Sequence, residues 1–172
     1  GANLRGANLR GAILAGASLT KVDLRRANLS QANFSEADLS ESNLSETILS
    51  GTNLAGANLR GANLTRVDLG VANLRGADLR ETNLTGTNLT VANLREVDLS
   101  GANLAMEILR GVDLRGARLA GATLAGSDLT VANLTGADLR WVDMRGASLS
   151  QANLSMSNLS GAKLAAAILV GA

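Results

Sequence analysis

GANLRGANLR, from Gly1 to Arg10, is two copies of one five-residue unit, and the remaining chain is written in the same unit. Leucine returns at every fifth position, from Leu4, Leu9, Leu14, Leu19 and Leu24 on to Leu169, with only Phe34 and Met144 in its place. A helix turns about 100° per residue, so leucines spaced by five would advance by about 140° and wander round the cylinder. The α-helix is excluded. On an uninterrupted strand an odd period would send alternate leucines to opposite faces and waste half of them. The chain must therefore bend once per unit.

With the leucine position written i, residue i-2 is Ala, Val, Ser or Thr in nearly every unit, as at Ala2, Val22, Thr52 and Ala92. Positions i-2 and i share one face in strand alternation, and the other three residues must turn the corner. Glycine occupies i+2 in about half of the units, as at Gly6, Gly51, Gly86 and Gly136. It accepts a positive φ without steric penalty, which a tight corner demands.

A chain that points one small and one large apolar residue inward, turns, and repeats closes into coils that stack on one another: a β-solenoid, all-β. The pentad leaves three or four sides per coil open. Ile48, Ile108 and Ile168 recur at the same pentad position every sixty residues, and VANLRGADLR (Val71 to Arg80) returns as VANLTGADLR (Val131 to Arg140). Sixty is divisible by fifteen and by twenty, so both coils remain allowed. The strings GANLRGANLR, VANLRGADLR and SQANLS resemble the A-(N/D)-L-X-X motif of the pentapeptide-repeat protein family over essentially the whole chain. That resemblance implies a right-handed quadrilateral β-helix with four pentads per coil. A single domain over residues 1–172 would then make about eight and a half coils and, at about 4.8 Å per coil, a rod on the order of 40 Å long.

The composition leaves little room for chemistry. There is no Cys, His or Pro, and the only aromatic residues are Phe34 and Trp141. Nucleophile–base pairs usually draw on His or Cys, metal sites favour the same residues, and phosphate loops need a strand–glycine–helix unit. None of these is present, so no catalytic residue, cofactor or metal is expected and the chain reads as a non-enzyme. Polar residues interrupt nearly every pentad, so no apolar run approaches a membrane span and no signal peptide is visible. The expectation is a cytoplasmic protein without a membrane partner.

Every Asp and Asn falls at i-1, whereas Glu falls at i+2, at Glu36, Glu41, Glu46, Glu81 and Glu96, with Glu107 the exception. Charge alone would let Glu serve at i-1, so the short side chain must matter. It suits a hydrogen bond to the nearby turn or to the neighbouring coil. The family resemblance raises one alternative function, mimicry of duplex DNA toward DNA gyrase and topoisomerase IV. Duplex DNA carries about one negative charge per 1.7 Å, whereas this chain has fifteen acidic residues against sixteen basic ones. The four-sided geometry stacks Asp38, Asp78, Asp98 and Asp138 on one wall, but Arg118 interrupts them. Arg75, Arg95 and Arg115 would form a basic column, diluted by Glu96 and Asp113 and without aromatic platforms for bases. Nucleic acid is not expected as a partner, and the threonines make no long array suited to ice.

Three features remain for function. Ile48, Ile108 and Ile168, with Val71, Val91, Val131 and Val170, fall on or beside one wall at positions expected to point outward, and an exposed apolar strip can mark a contact surface for a protein partner. Repeats run to both termini and the last residues, AAILVGA, are apolar, so end-to-end self-association is expected; the start at Gly1 without an initiator Met would also fit an excerpted chain. Glu107 takes an inward i-2 position, where an unpartnered carboxyl group costs several kcal/mol. The expectation is local distortion that turns it outward, or a nearby donor that meets it. The reading is a scaffolding or interaction solenoid whose partner is unidentified.

Overall fold

In the computed structural model, covering Gly1–Ala172, every i-1 residue bridges in parallel to the residue twenty positions later: Asn3 to Asp23, Asn8 to Asn28, Ile13 to Asn33 and Ser18 to Asp38, continuing up to Ser148 with Ile168. Twenty residues per coil means four pentads, and the fold is a right-handed quadrilateral β-helix without any α-helix. We name its walls by their first leucines: the first wall carries Leu4, the second Leu9, the third Leu14 and the fourth Leu19.

The ladder that joins the coils follows one rule. The amides of i and i+2 donate to carbonyls of the next coil, as Leu4 N to Asp23 O at 2.7 Å and Gly6 N to Arg25 O at 2.8 Å; the amide of i-1 donates backward, as Asp23 N to Ala2 O at 3.0 Å. A fourth bond closes the corner, from the i-2 amide to the preceding leucine carbonyl, as Ala7 N to Leu4 O at 3.0 Å. Four of the five amides in a regular pentad are thus paired through the backbone although each wall is only a single bridge wide, while the i+2 carbonyl stays at the solvent-facing corner.

All corner residues at i+2, from Gly6 to Gly171, are left-handed, with φ between 53° and 72°. Seventeen are glycine and seventeen are not. The bulkiest side chains at this corner, Trp141 and Met106, lie along the rod over a glycine of the next coil. A Cβ on Gly161 would collide with the Trp141 ring, and one on Gly126 with Met106. Inside, the leucine and i-2 columns are buried continuously from Val22 to Ala152, while the leucines of the terminal coils are half-buried. This leaves the residues at i-1, i+1 and i+2, except the buried Gly70, at least partly on the surface, where function must be read.

Candidate interaction face

The i-1 side chain ties each pentad to its own turn. Its Oδ1 accepts the amide two residues on, as from Arg5 N to Asn3 at 3.1 Å and Ser35 N to Asn33 at 3.0 Å. On the third wall the carboxamides also link coil to coil: Asn53 donates to Asn33 at 3.1 Å, Asn73 to Asn53 at 3.0 Å and Asn93 to Asn73 at 3.0 Å. Both geometries require a short side chain, which explains why Glu is absent from i-1.

Where Asp at i-1 is followed by Arg at i+1, the two form a fork within one pentad. Arg25 donates through Nε and Nη2 to Asp23 at 2.8 and 2.6 Å, and Arg80 does the same to Asp78 at 2.9 and 2.6 Å. Asp113 with Arg115, Asp138 with Arg140 and Asp143 with Arg145 repeat it. The guanidinium hydrogen bonds hold the Asp23 and Asp143 carboxyl groups down to about 2, and lower those of Asp78, Asp113 and Asp138. Four corner acids are paired as well: Glu41 with Lys21, Glu46 with Arg26, Glu81 with Arg60 and Glu96 with Arg75. Asp98, in the acidic column of the fourth wall, lies within 3.8 Å of Arg80 and 3.6 Å of Arg118. Most of the carboxylates are therefore locally neutralised and present no uniform negative field, although Asp38, Asp68 and Glu36 form no ion pair. The fork was missed in the sequence, although its signal, Asp and Arg separated by one residue, was there to be read.

The second wall sets isoleucines among the polar residues of its outward face and polar residues among the apolar ones of its inner face. Its outward column holds Ile48, Ile108 and Ile168, exposed to 49%, 57% and 51%; Val71, Val91 and Val131 stand exposed on the corner shared with the third wall, and Val170 is exposed nearby. Met106, on the corner shared with the first wall, belongs to the same patch and is 78% exposed. The sequence reading passed it over because i+2 is a corner position that accepts any residue. Ile13, also exposed, lies on the third wall and stands apart. Behind the patch the i-2 column carries Thr47, Thr87, Glu107 and Ser127, all buried. The hydroxyls of Thr47, Thr87 and Ser127 donate to the carbonyl three residues earlier at 2.6, 2.7 and 2.7 Å.

Glu107 is the one acidic member of that inner column. It stays inward, 7% exposed, and its Oε1 accepts the Gly86 amide at 2.8 Å. The expected outward turn does not occur; of the two outcomes considered, a backbone donor meets the carboxyl group. Accommodation comes from the ladder. Between the coils of Glu81–Val91 and Ser100–Arg110, the forward bonds from Glu81, Leu84, Gly86, Leu89 and Val91 and the backward bonds from Asn103 and Ile108 are not formed. Every other inter-coil position keeps its full set. A carboxyl group is longer than the Ala or Thr that usually fills i-2, so the first and second walls spread at this level while the third stays closed, with Leu94 N to Asp113 O at 2.8 Å.

The repeat, the four-walled coil and the Asn/Asp turns find their counterpart among known proteins. The family model described as pentapeptide repeats matches residues 1–31, 32–70, 72–105, 108–146 and 143–172. The chain belongs to the pentapeptide repeat family. Among solved structures, this pentapeptide repeat protein is similar to HetL of the cyanobacterium Nostoc sp. strain PCC 7120, which is involved in heterocyst differentiation regulation. The two share 33% identity at a TM-score of 0.67, covering 96% of this chain and 86% of HetL. It is also similar to QnrB1, a plasmid-mediated fluoroquinolone resistance protein, at 22% identity and a TM-score of 0.76, covering 86% of this chain and 77% of that one. At that identity QnrB1 speaks for the fold alone. No curated protein matches the sequence. In this pentapeptide repeat rod no group of His, Cys, Asp and Glu is placed to hold a metal ion, and no helix is long and apolar enough to cross a membrane.

Proposed function

We propose that this chain is a non-enzymatic interaction rod that meets a protein partner through its second wall. The observation that carries the reading is the set of exposed isoleucines on that wall, Ile48, Ile108 and Ile168, opposite the buried hydroxyl residues Thr47, Thr87 and Ser127. Packing alone favours the opposite arrangement, since apolar surface gains by leaving water. A second feature supports it: Val71, Val91 and Val131 hold φ of 57°, 53° and 54°. A β-branched residue in the left-handed region is strained, and half of the corners use glycine instead. Strain and exposure in the same three residues point to a requirement outside the fold. An exposed apolar patch rimmed by polar residues suits a protein contact.

The gyrase reading suggested by the family, and by the resistance protein QnrB1, is set aside on charge. The forked and paired carboxylates leave no line of uncompensated acid comparable to duplex DNA. Two measurements test the choice. A photo-crosslinking residue placed at position 108 of the full chain should yield protein adducts in cells, whereas one at position 73 on the third wall should not; equal yields from both would sink the reading. In a gyrase supercoiling assay the purified protein should leave activity unchanged, and inhibition would restore the alternative.

A further inference from the structure

We infer that the occupant of the second wall is a second copy of this chain, lying antiparallel across it, with a two-fold axis at the level of Ile108. This deepens the reading of the wall as an interaction surface and rests on it. The argument is the order of residues along the outward column: Ile48, Asp68, Asn88, Ile108, Asp128, Ser148, Ile168. Two rods meeting through the same wall have two symmetric arrangements, parallel and antiparallel. The parallel one sets each residue against itself, so Asp68 would face Asp68 and Asp128 would face Asp128, a repulsive pairing.

The antiparallel arrangement reverses one column against the other, and every position then finds a complement. Ile108 meets Ile108 of the second copy, and Ile48 meets Ile168. Asp68 meets the Ser148 hydroxyl, which in its own chain pairs with Thr130 at 3.1 Å, and Asp128 meets the Asn88 carboxamide, which donates one N–H to Asp68 of its own chain at 3.1 Å and has a second to give. The flanking corners obey the same symmetry. Met106 meets its own copy on one side, and on the other Val91 meets Val131, so two of the three strained valines gain an apolar partner. Val71 and Val170 meet Gln151 and Ser50. Arg110 meets its own copy, but Asp128 of the same chain lies 3.9 Å away and offsets that charge.

The size is adequate. From Ile48 to Ile168 is six coil steps, about 29 Å. The rod exposes 7700 Å² in all, and one of four walls over that length contributes on the order of 1,000 Å² per copy, the scale of a specific protein–protein interface.

The chain has no cysteine, which permits a clean test in the full-length protein. Ile48→Cys and Ile168→Cys, made separately, mixed and treated with a short bismaleimide, should give a covalent dimer, while either alone should give almost none, because like positions lie about 29 Å apart. Light scattering should show a dimer of the 17.5 kDa chain, and Ile108→Lys should weaken its association at least tenfold with the circular dichroism unchanged. The inference is overturned by cross-linking of Ile48→Cys to itself, by a wild type that remains monomeric at high concentration, or by association that Ile108→Lys leaves intact, as end-to-end stacking would be. A monomeric wild type whose position 108 still cross-links to a different protein would sink the second copy and leave the interaction wall standing.

Discussion

The second and third walls share the leucine column, the left-handed corner and the coil spacing, yet they differ in what stands at i-1 and i-2. The third wall buries Ala32, Ala72, Ala92 and Ala132 and turns outward a run of asparagines that bond to one another along the rod. The second wall buries Thr47, Thr87, Glu107 and Ser127 and turns outward isoleucine. The third wall keeps every backbone bond between coils, and the second, with the first, loses them at one level. One wall is arranged for cohesion of the rod. The other gives up part of that cohesion and exposes what a partner would cover.

The sharpest way to break the contrast is to give the second wall the third wall's interior. Glu107→Ala removes the buried carboxyl group and frees the Gly86 amide to rejoin the ladder. Net hydrogen bonds are worth about 0.5–1.5 kcal/mol each, so even partial recovery of the seven missing bonds should stabilise the rod by about 3 kcal/mol. For a chain of this length that is a rise in Tm of roughly 6–12 °C. Amide exchange at Leu84 and Leu89 should slow in the same variant. A fall in Tm would mean that Glu107 stabilises the rod through its bond to Gly86, and the wedge interpretation would have to go.

This wedge marks the boundary of what could be read in advance. The period of five excluded a helix, required a corner and assigned i-2 and i to the interior without any coordinates. The restriction of Asn and Asp to i-1 foretold their bonds to the turn. These properties repeat in every unit, so one physical argument served the whole chain. The number of walls did not follow from the pentad, since fifteen and twenty both divide sixty, and it came from family resemblance. Single departures were less legible. Glu107 could turn outward or recruit a donor, and the choice depends on whether stretching the ladder costs less than reversing a residue. Met106 was invisible because a corner tolerates any side chain, and its membership of the patch depends on where the coil places it.

A smaller effect is expected from damage to the third wall. Asn73 donates to Asn53 and accepts from Asn93, both at 3.0 Å, and accepts the Arg75 amide at 3.3 Å. Asn73→Ala removes all three partly exposed bonds at once, so the loss should be about 1–2 kcal/mol. Urea denaturation followed by circular dichroism would register it as a lower midpoint at an unchanged slope. The patch is on another wall, so dimer mass should not change. If association weakened as well, the two walls would not be separable in function.

The smallest effect sharpens the comparison most, because its two readouts move in opposite directions. Val91 sits at φ 53°, on the corner between the two walls, and its side chain is exposed. A left-handed conformation costs a residue with a Cβ about 1–2 kcal/mol, and glycine avoids that cost while giving some back through the greater freedom of the unfolded chain. Val91→Gly should therefore stabilise the isolated rod by up to about 1 kcal/mol. The same change deletes the apolar group placed against Val131 of a second copy, so dimerisation should weaken severalfold by light scattering. A valine present only by tolerance would give the gain without the loss. Loss of both stability and association would show instead that Val91 packs usefully within its own coil, and the strain argument for the second wall would fail with it.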